Sequence, residues 1–484
     1  MPSNIAGLKP TLLWKHFEEI LKIPRCSGNE KAAGDYIISV AKKNKLSWKR
    51  DKIGNVVVQK KASAGHEKAG TVVLQGHLDM VCEKNSDVAH DFTKDPIKAE
   101  IKGNWIQAKG TTLGADNGIG VCASLALMED TSLVHPPLEF LFTVDEETGL
   151  TGARKIPKDF LKGRIMLNLD SEDEGEFTIG CAGGADSILT LPLTRKKTGN
   201  GDVYRLKIFG LRGGHSGIDI DQGRGNAIKF LARMLWQAMR KYPFDVISME
   251  GGNLRNAIPR EAWAELYVPA SKARSLASFF KRAFEKLSFE FKAVENEAEN
   301  SFEKIKGKKK PPLSSKSQQD LINLLFTLPH GVLSMHQEMK GLVETSTNLA
   351  VVKTSSKRAK IISSSRSSVA SALEAARNLI MAQAEVVGAK TSQPGGYPGW
   401  TPDLQSPLLQ TLKDVHHKTF KKRPKVAAIH AGLECGIIGE KFPGMDMISF
   451  GPTMEHPHSP DERVSISSVA NFWKFLGAVL KALS

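Results

Sequence analysis

The chain has 484 residues, 41 % apolar and 25 % charged, which describes a globular protein too long for a typical single core. No apolar run approaches the length needed to span a bilayer, and Met1 to Leu8 lacks the basic start and apolar core of a signal peptide. A net charge of +15 admits phosphate binding in principle, but the lysines are scattered and no basic helix, zinc finger or RNA-binding aromatic signature accompanies them.

Thr11 to Lys22 carries Leu13, Phe17, Ile20 and Leu21 at helical spacing and predicts an amphipathic helix. Ser27-Gly-Asn-Glu30 has the capping-box pattern, which predicts a second helix running to about Lys43. Asn55 to Gln59 and Thr71 to Leu74 are β-rich runs, and Gly118 to Met128 is an apolar helix with Asp116 just before it. Strands alternating with helices predict an α/β domain with a mostly parallel, helix-covered sheet.

After Asp170 the texture changes. Phe177 to Leu193 and Val203 to Phe209 read as strands, Gly223 to Arg240 and Ser271 to Lys286 as helices, and Ala262 to Val268 as a strand. Lys304 to Lys310 reads as an exposed basic loop. Gly395 to Pro402 is a turn-rich seam, beyond which Pro407 to Thr419 is helical, Lys425 to Ile429 and Met447 to Phe450 are strand-like, and Ser467 to Leu483 is a closing helix. Within the middle, two strand-helix-strand units surround His215 and Arg366. They share no convincing sequence identity, so a duplication is only a suspicion.

Cys26, Cys82, Cys122, Cys181 and Cys435 are odd in number and form no Cys-x-x-Cys pair, which predicts reduced, mostly buried thiols in a cytoplasmic protein. Cys82 reads as a small buried apolar residue.

Seven acid and imidazole side chains then stand in order. Gly-His77-Leu-Asp79 follows the apolar run Thr71 to Gln75. Next come Gly114-Ala-Asp116-Asn-Gly, Val144-Asp145-Glu146-Glu147-Thr-Gly and Asn168-Leu-Asp170-Ser-Glu172, and last Glu455-His-Pro-His458-Ser-Pro-Asp-Glu462. In open α/β sheets, ligands gather outside the carboxyl ends of the strands. Three of these motifs directly follow strand-like runs. Any one alone is weak; in this order and placement they point to one site.

With Ile23-Pro-Arg-Cys-Ser-Gly-Asn-Glu30, Gly213-Gly-His215-Ser-Gly217, Asn256-Ala-Ile-Pro259, Ser363-Ser-Ser-Arg366-Ser367 and His430-Ala-Gly-Leu-Glu434, these motifs resemble the M20 metallopeptidases, in their aminoacyl-histidine dipeptidase branch. The likeness runs over nearly the whole chain. It implies a discontinuous di-metal domain, 1–186 plus 399–484, with an α+β lid inserted at 187–398, because His458 must join ligands from the first third.

The resemblance implies two divalent ions, zinc first, with cobalt or manganese tolerated by the same donors. His77 and Asp170 would hold one ion, Glu147 and His458 the other, and Asp116 would bridge them. Asp79 would orient His77 from behind. Glu146 would be the general base toward a water shared by the two ions. His215, Asn256, Arg366 and Glu434 are the expected substrate-binding residues, with Arg366 clamping a carboxylate and Glu434 meeting an amine.

The implied substrates are dipeptides, Xaa-His types such as β-alanyl-histidine among them. A deacylase of N-acyl amino acids is the alternative on the same fold, and a non-catalytic nucleic-acid-binding protein a remote one. No membrane partner is expected, and assembly is left open, a homodimer included. His456 is the weaker rival of His458, and His430 is divided between pocket and structure. His16, His66, His90, His135, His330, His336, His416 and His417 read as surface or loop residues.

Overall fold

The computed structural model describes residues 5–197, 201–306 and 310–484. They divide into two units, one of Met1–Gly180, Trp400–Ala428 and Leu433–Ser484, the other of Cys181–Gly399 with Ile429–Gly432. The second unit therefore opens before position 187 and also takes up the short piece around His430. Lys308 and Lys309 of the basic loop lie outside the described residues.

The first unit is built on an eight-stranded sheet. Its centre is parallel: Leu138–Thr143, Val72–His77, Ile165–Asn168 and Asp446–Ser449 lie side by side in that order. These strands are apolar and buried along most of their length, as strands covered by helices on both faces must be. Antiparallel strands flank them, with Ser47–Arg50 and Val56–Lys60 at one edge and Glu176–Cys181 next to Asp446–Ser449. The sheet is thus parallel where ligands are expected and antiparallel at its margins.

The helix Ala115–Glu129 is buried nearly all round, which explains its apolar sequence and lack of a polar face. A small four-stranded sheet pairs Ala99–Lys102, Trp105–Ala108, Arg463–Ser465 and Met454–Glu455, so the segment bearing His458 is the loop of a hairpin pinned to residues 99–108. The described residues contain no helix long and apolar enough to cross a membrane.

Among the described residues the second unit holds one antiparallel nine-stranded sheet whose elements recur in topology, though not as the two units expected around His215 and Arg366: the helix following each occupies a different place in its half. Asp202–Phe209, the helix Ala227–Ala238, Asp245–Gly251, Ala262–Val268, the helix Ala270–Glu290 and Glu299–Lys304 follow one another as strand, helix, strand, strand, helix, strand. Gly183–Pro192, the helix Ser315–Thr327, Val343–Thr354, Arg358–Ser367, the helix Ala370–Val386 and Lys390–Ser392 repeat that order, with the whole first half spliced in after the opening strand and an extra strand, Gly331–Met335, added beside Val343–Thr354.

Each half places its strands in the order fourth, first, third, second. The two second strands pair antiparallel, Glu250 with Lys353 and Gly251 with Val352. A shared apolar core, including Leu231, Phe280, Leu325 and Ile380, lies under the helices.

Three local expectations are corrected. Ser27 caps no helix: the helix starts at Lys31, the Ser27 hydroxyl donates to Asp79, and the Glu30 carboxylate accepts the N–H groups of Gly28 and Asp145. Cys26 and Cys82 form a disulfide, their Cα atoms 5.7 Å apart, leaving Cys122, Cys181 and Cys435 as buried thiols. Scattered spacing concealed that residues 26 and 80 lie side by side as bridging strand positions. Finally, His16 and His416 are buried on helices, neither surface nor loop residues, while His135 is a loop residue as expected but a buried one. Each finds a polar partner for one ring nitrogen (the Tyr36 hydroxyl, the Pro136 carbonyl and the Lys422 carbonyl), which makes an imidazole tolerable in a core.

Candidate functional site

The carboxyl ends of the parallel strands deliver the ligand candidates of the first unit. His77 ends its strand, Asp170 follows Asn168 by two residues, and Glu146 and Glu147 open a four-residue helical turn after Thr143. Adjacent residues on such a turn diverge by about 100°, so Glu146 and Glu147 separate at once. Asp145, His456 and His458 all have left-handed backbone, φ 52°, 55° and 60°, a conformation that non-glycine residues keep only where the surroundings impose it.

His77 Nε2 lies 3.1 Å from Asp116 Oδ1 and 3.2 Å from Asp170 Oδ1. His458 Nε2 lies 3.2 Å from the other Asp116 oxygen, Oδ2, and 3.0 Å from Glu147 Oε2. Two trios result, His77–Asp116–Asp170 and Asp116–Glu147–His458, each with its donor atoms within 4.8 Å of one another. Asp116 belongs to both, one oxygen to each.

The donor set fits divalent cations. Glu147 Oε1 is buried without a hydrogen-bond partner among the described residues, a cost that a coordinated cation removes. The carboxylates hold His458 at about 11, through Asp116 and then Glu147. Burial lifts Asp170 to about 6. Oxygen and imidazole donors with no thiolate suit zinc, cobalt or manganese.

Asp79 works behind this set. His77 Nδ1 bonds the Asp79 carbonyl at 3.2 Å and lies 3.4 Å from its carboxylate. That carboxylate also accepts the N–H groups of Glu146 and Glu147, both at 3.1 Å, and so fixes the turn that presents them. Burial works against its charge, but the His77 ring and the Ser27 hydroxyl hold it down to about 2.

Glu146 is pushed the other way. Burial, reinforced by the carboxylates of Asp170, Glu434 and Glu147, raises it well above the usual carboxylate range, with His77 opposing. Bound cations act in the same sense as His77.

Sequence reasoning missed the residues that hold the loops. Glu462, 2 % exposed, accepts four successive backbone N–H groups, from Leu113, Gly114, Ala115 and Asp116, at 2.7 to 3.3 Å. Arg25, also buried, donates to the carbonyls of Leu78, Asp79 and Gly114. Both lay inside quoted motifs; their partners are main-chain groups, which leave no residue-type signature.

Glu434 is buried in the first unit. Its Oε2 accepts from Gln75 Nε2 and Thr143 Oγ1, both at 2.6 Å, while Oε1 is buried and without a partner among the described residues. Asn168 in turn donates to Gln75, so three neighbouring strands contribute to one polar floor. Burial raises Glu434 to about 7.

The second unit brings His215 and Arg366 together. Gly217 and Ile218 donate their N–H groups to His215 Nδ1 at 3.2 and 3.1 Å. That nitrogen is therefore an acceptor, and Nε2 carries the hydrogen. Burial and then Arg366 lower the His215 pKa, so the ring is a neutral donor. Arg366 Nη2 stands 3.4 Å from Nε2: two donors face each other, an arrangement that an incoming oxygen satisfies.

Gly213 and Gly214 have φ of 67° and 137°, which lets the chain turn into His215. Asn256 is exposed, its carbonyl accepting the Ser216 N–H at 2.8 Å. His430 is buried in the second unit, bonded to the Ser346 hydroxyl at 2.7 Å and lowered to about 4 by burial.

Comparison with known proteins gives a consistent set of likenesses. The model of "Peptidase family M20/M25/M40" matches residues 73–482. The cytosol non-specific dipeptidase of Escherichia coli K12 is 42% identical over 482 residues, 99% of each chain. The crystal structure of aminoacylhistidine dipeptidase from Vibrio alginolyticus is 42% identical, covers 99% of this chain and 98% of its own, and superposes with a TM-score of 0.93. Aminopeptidase PepT from Bacillus cereus, 14% identical over 98% of this chain and 99% of its own with a TM-score of 0.57, shares the fold alone.

Proposed function

The chain belongs to peptidase family M20/M25/M40, and on that premise we propose that it is a cytoplasmic two-metal dipeptidase acting on a broad range of dipeptides, Xaa-His among them. The observation that carries this reading is the pair of donor trios sharing Asp116. The relatives' names, a non-specific dipeptidase of the cytosol and an aminoacylhistidine dipeptidase, support the substrate class and compartment.

His77 and Asp170 would hold one ion and Glu147 and His458 the other, with Asp116 belonging to both sets; zinc is the first choice. Bound there, two divalent ions would lower the pKa of the attacking water and act as Lewis acids toward the carbonyl. Glu146 takes the proton of the attacking water and delivers it to the leaving nitrogen. Asp79 keeps His77 in one tautomer and the Glu146 turn in one geometry.

A dipeptidase must also recognise both substrate ends. The unpartnered Oε1 of Glu434 receives the ammonium group, and Arg366 receives the terminal carboxylate. The neutral Nε2–H of His215 donates to the oxygen that gains charge in the transition state, the role of an oxyanion-hole donor. Asn256 contributes a further polar contact to the substrate.

The test is hydrolysis of β-alanyl-histidine and a dipeptide panel beside N-acetyl-histidine, with zinc, cobalt or manganese supplied. Cleavage of the dipeptides and resistance of the acyl compound are expected. The reverse preference identifies a deacylase and removes the amine role of Glu434.

A further inference from the structure

Arg366 does not stand alone in the second unit. Its Nη1 donates to the phenolic oxygen of Tyr397 at 2.7 Å, and its Nε is buried without a partner among the described residues. Tyr397 is fixed by its own backbone, its N–H donating to the Gly184 carbonyl and its carbonyl accepting the Gly184 N–H, both at 3.0 Å.

Missing side chains make room for the ring. A Cβ at Gly184 would lie 2.5 Å from the phenolic oxygen, and one at Gly432 would lie 2.7 Å from the ring. Phenylalanine would fill the same space, so packing does not account for the hydroxyl. What the hydroxyl adds is the contact with Arg366.

We propose that Tyr397 is a specificity-determining residue: it holds the Arg366 fork in one orientation and donates its own hydroxyl hydrogen to the terminal carboxylate of the substrate. The inference rests on the reading of Arg366 as the carboxylate receptor. An oxygen that accepts from an arginine keeps its hydrogen for another acceptor. Burial raises the phenol's pKa, so that hydrogen is retained at neutral pH. A carboxylate has two oxygens and more acceptor positions than a two-pronged guanidinium contact fills, which leaves one for Tyr397.

The test compares the metal-loaded wild type with Y397F on a dipeptide and on the same dipeptide carrying a C-terminal amide. For the free acid, Y397F is expected to raise KM about 10-fold, the size of one lost charge-assisted hydrogen bond, with kcat within about threefold because the contact serves ground and transition states alike. For the amide, KM should be the same in both proteins. In an R366K background, where the orienting contact is already gone, adding Y397F should bring a smaller further rise, that of the direct hydroxyl contact alone.

An unchanged KM for the acid, or an equal rise for acid and amide, overturns the role of Tyr397 and leaves that of Arg366 standing. If wild type itself handles acid and amide alike, the carboxylate reading of Arg366 fails, and this inference with it. Retention of kcat and of both metals shows that Y397F is folded.

Discussion

Glu462 reaches across 346 positions of sequence to accept the backbone N–H of Asp116, four residues after His458. One carboxylate thereby ties the turn carrying the shared ligand to the hairpin carrying His458, while Arg25 ties that same turn to the strand end of His77 through the Gly114, Leu78 and Asp79 carbonyls. Two buried charged residues thus set the spacing of three ligand segments.

Removing the Glu462 carboxylate should cost both stability and metal. Glu462→Ala strands buried N–H groups, each worth about 1–3 kcal/mol when left unsatisfied. A loss of at least about 2 kcal/mol is expected by denaturant unfolding, together with reduced metal content. Asp461→Ala, at the exposed neighbour, should change stability by less than about 0.5 kcal/mol. Equal effects at the two positions would refute the tie.

Glu146 and Glu147 should part company when each becomes glutamine. Glu146→Gln keeps its shape but loses the base, so kcat should drop by at least about 10²-fold with metal content near wild type. Glu147→Gln should lose metal first. Activity that survives in Glu146→Gln, with Glu147→Gln inactive yet fully metallated, means the roles are exchanged.

The fixed tautomer of His215 makes a further expectation. His215→Ala removes the Nε2–H donor and should lower kcat by about 10²–10³-fold, the range for an oxyanion-hole donor, without loss of metal. A change confined to KM would assign His215 to ground-state binding instead.

The ligand order was legible in sequence for a physical reason: parallel strands read as apolar runs, and their carboxyl ends face one side, so polar residues just after such runs converge. The halves of the second unit were not legible as a repeat, because the first strand of one, Gly183–Pro192, is separated from its continuation by the entire other half. The Cys26–Cys82 pair was equally hidden, since a separation of 56 positions says nothing of which segments lie side by side. Glu462 and Arg25 act on main-chain atoms, which every residue possesses. Tyr397 lay in a segment read only as a seam; its Arg366 contact is visible only in space.

Buried His16 gives the fold a pH dependence of known sign. Burial lowers its pKa from 6.5 to about 4, the Glu129 carboxylate opposing. The folded state favours the neutral ring, so the contribution is complete above pH 6.5 and is lost as pH falls toward 4. At pH 5 the loss amounts to about 2 kcal/mol. Thermal or denaturant unfolding of wild type against His16→Gln should show the wild type losing more stability between pH 7 and 5. Parallel curves would contradict the assignment.

The most direct measurement of the central claim is anomalous scattering from crystals of the metal-replete protein. The account predicts two ions with one Asp116 oxygen on each, His77 and Asp170 completing the first site and Glu147 and His458 the second. A single ion, or a ligand set that includes a cysteine or omits Asp116, would contradict it.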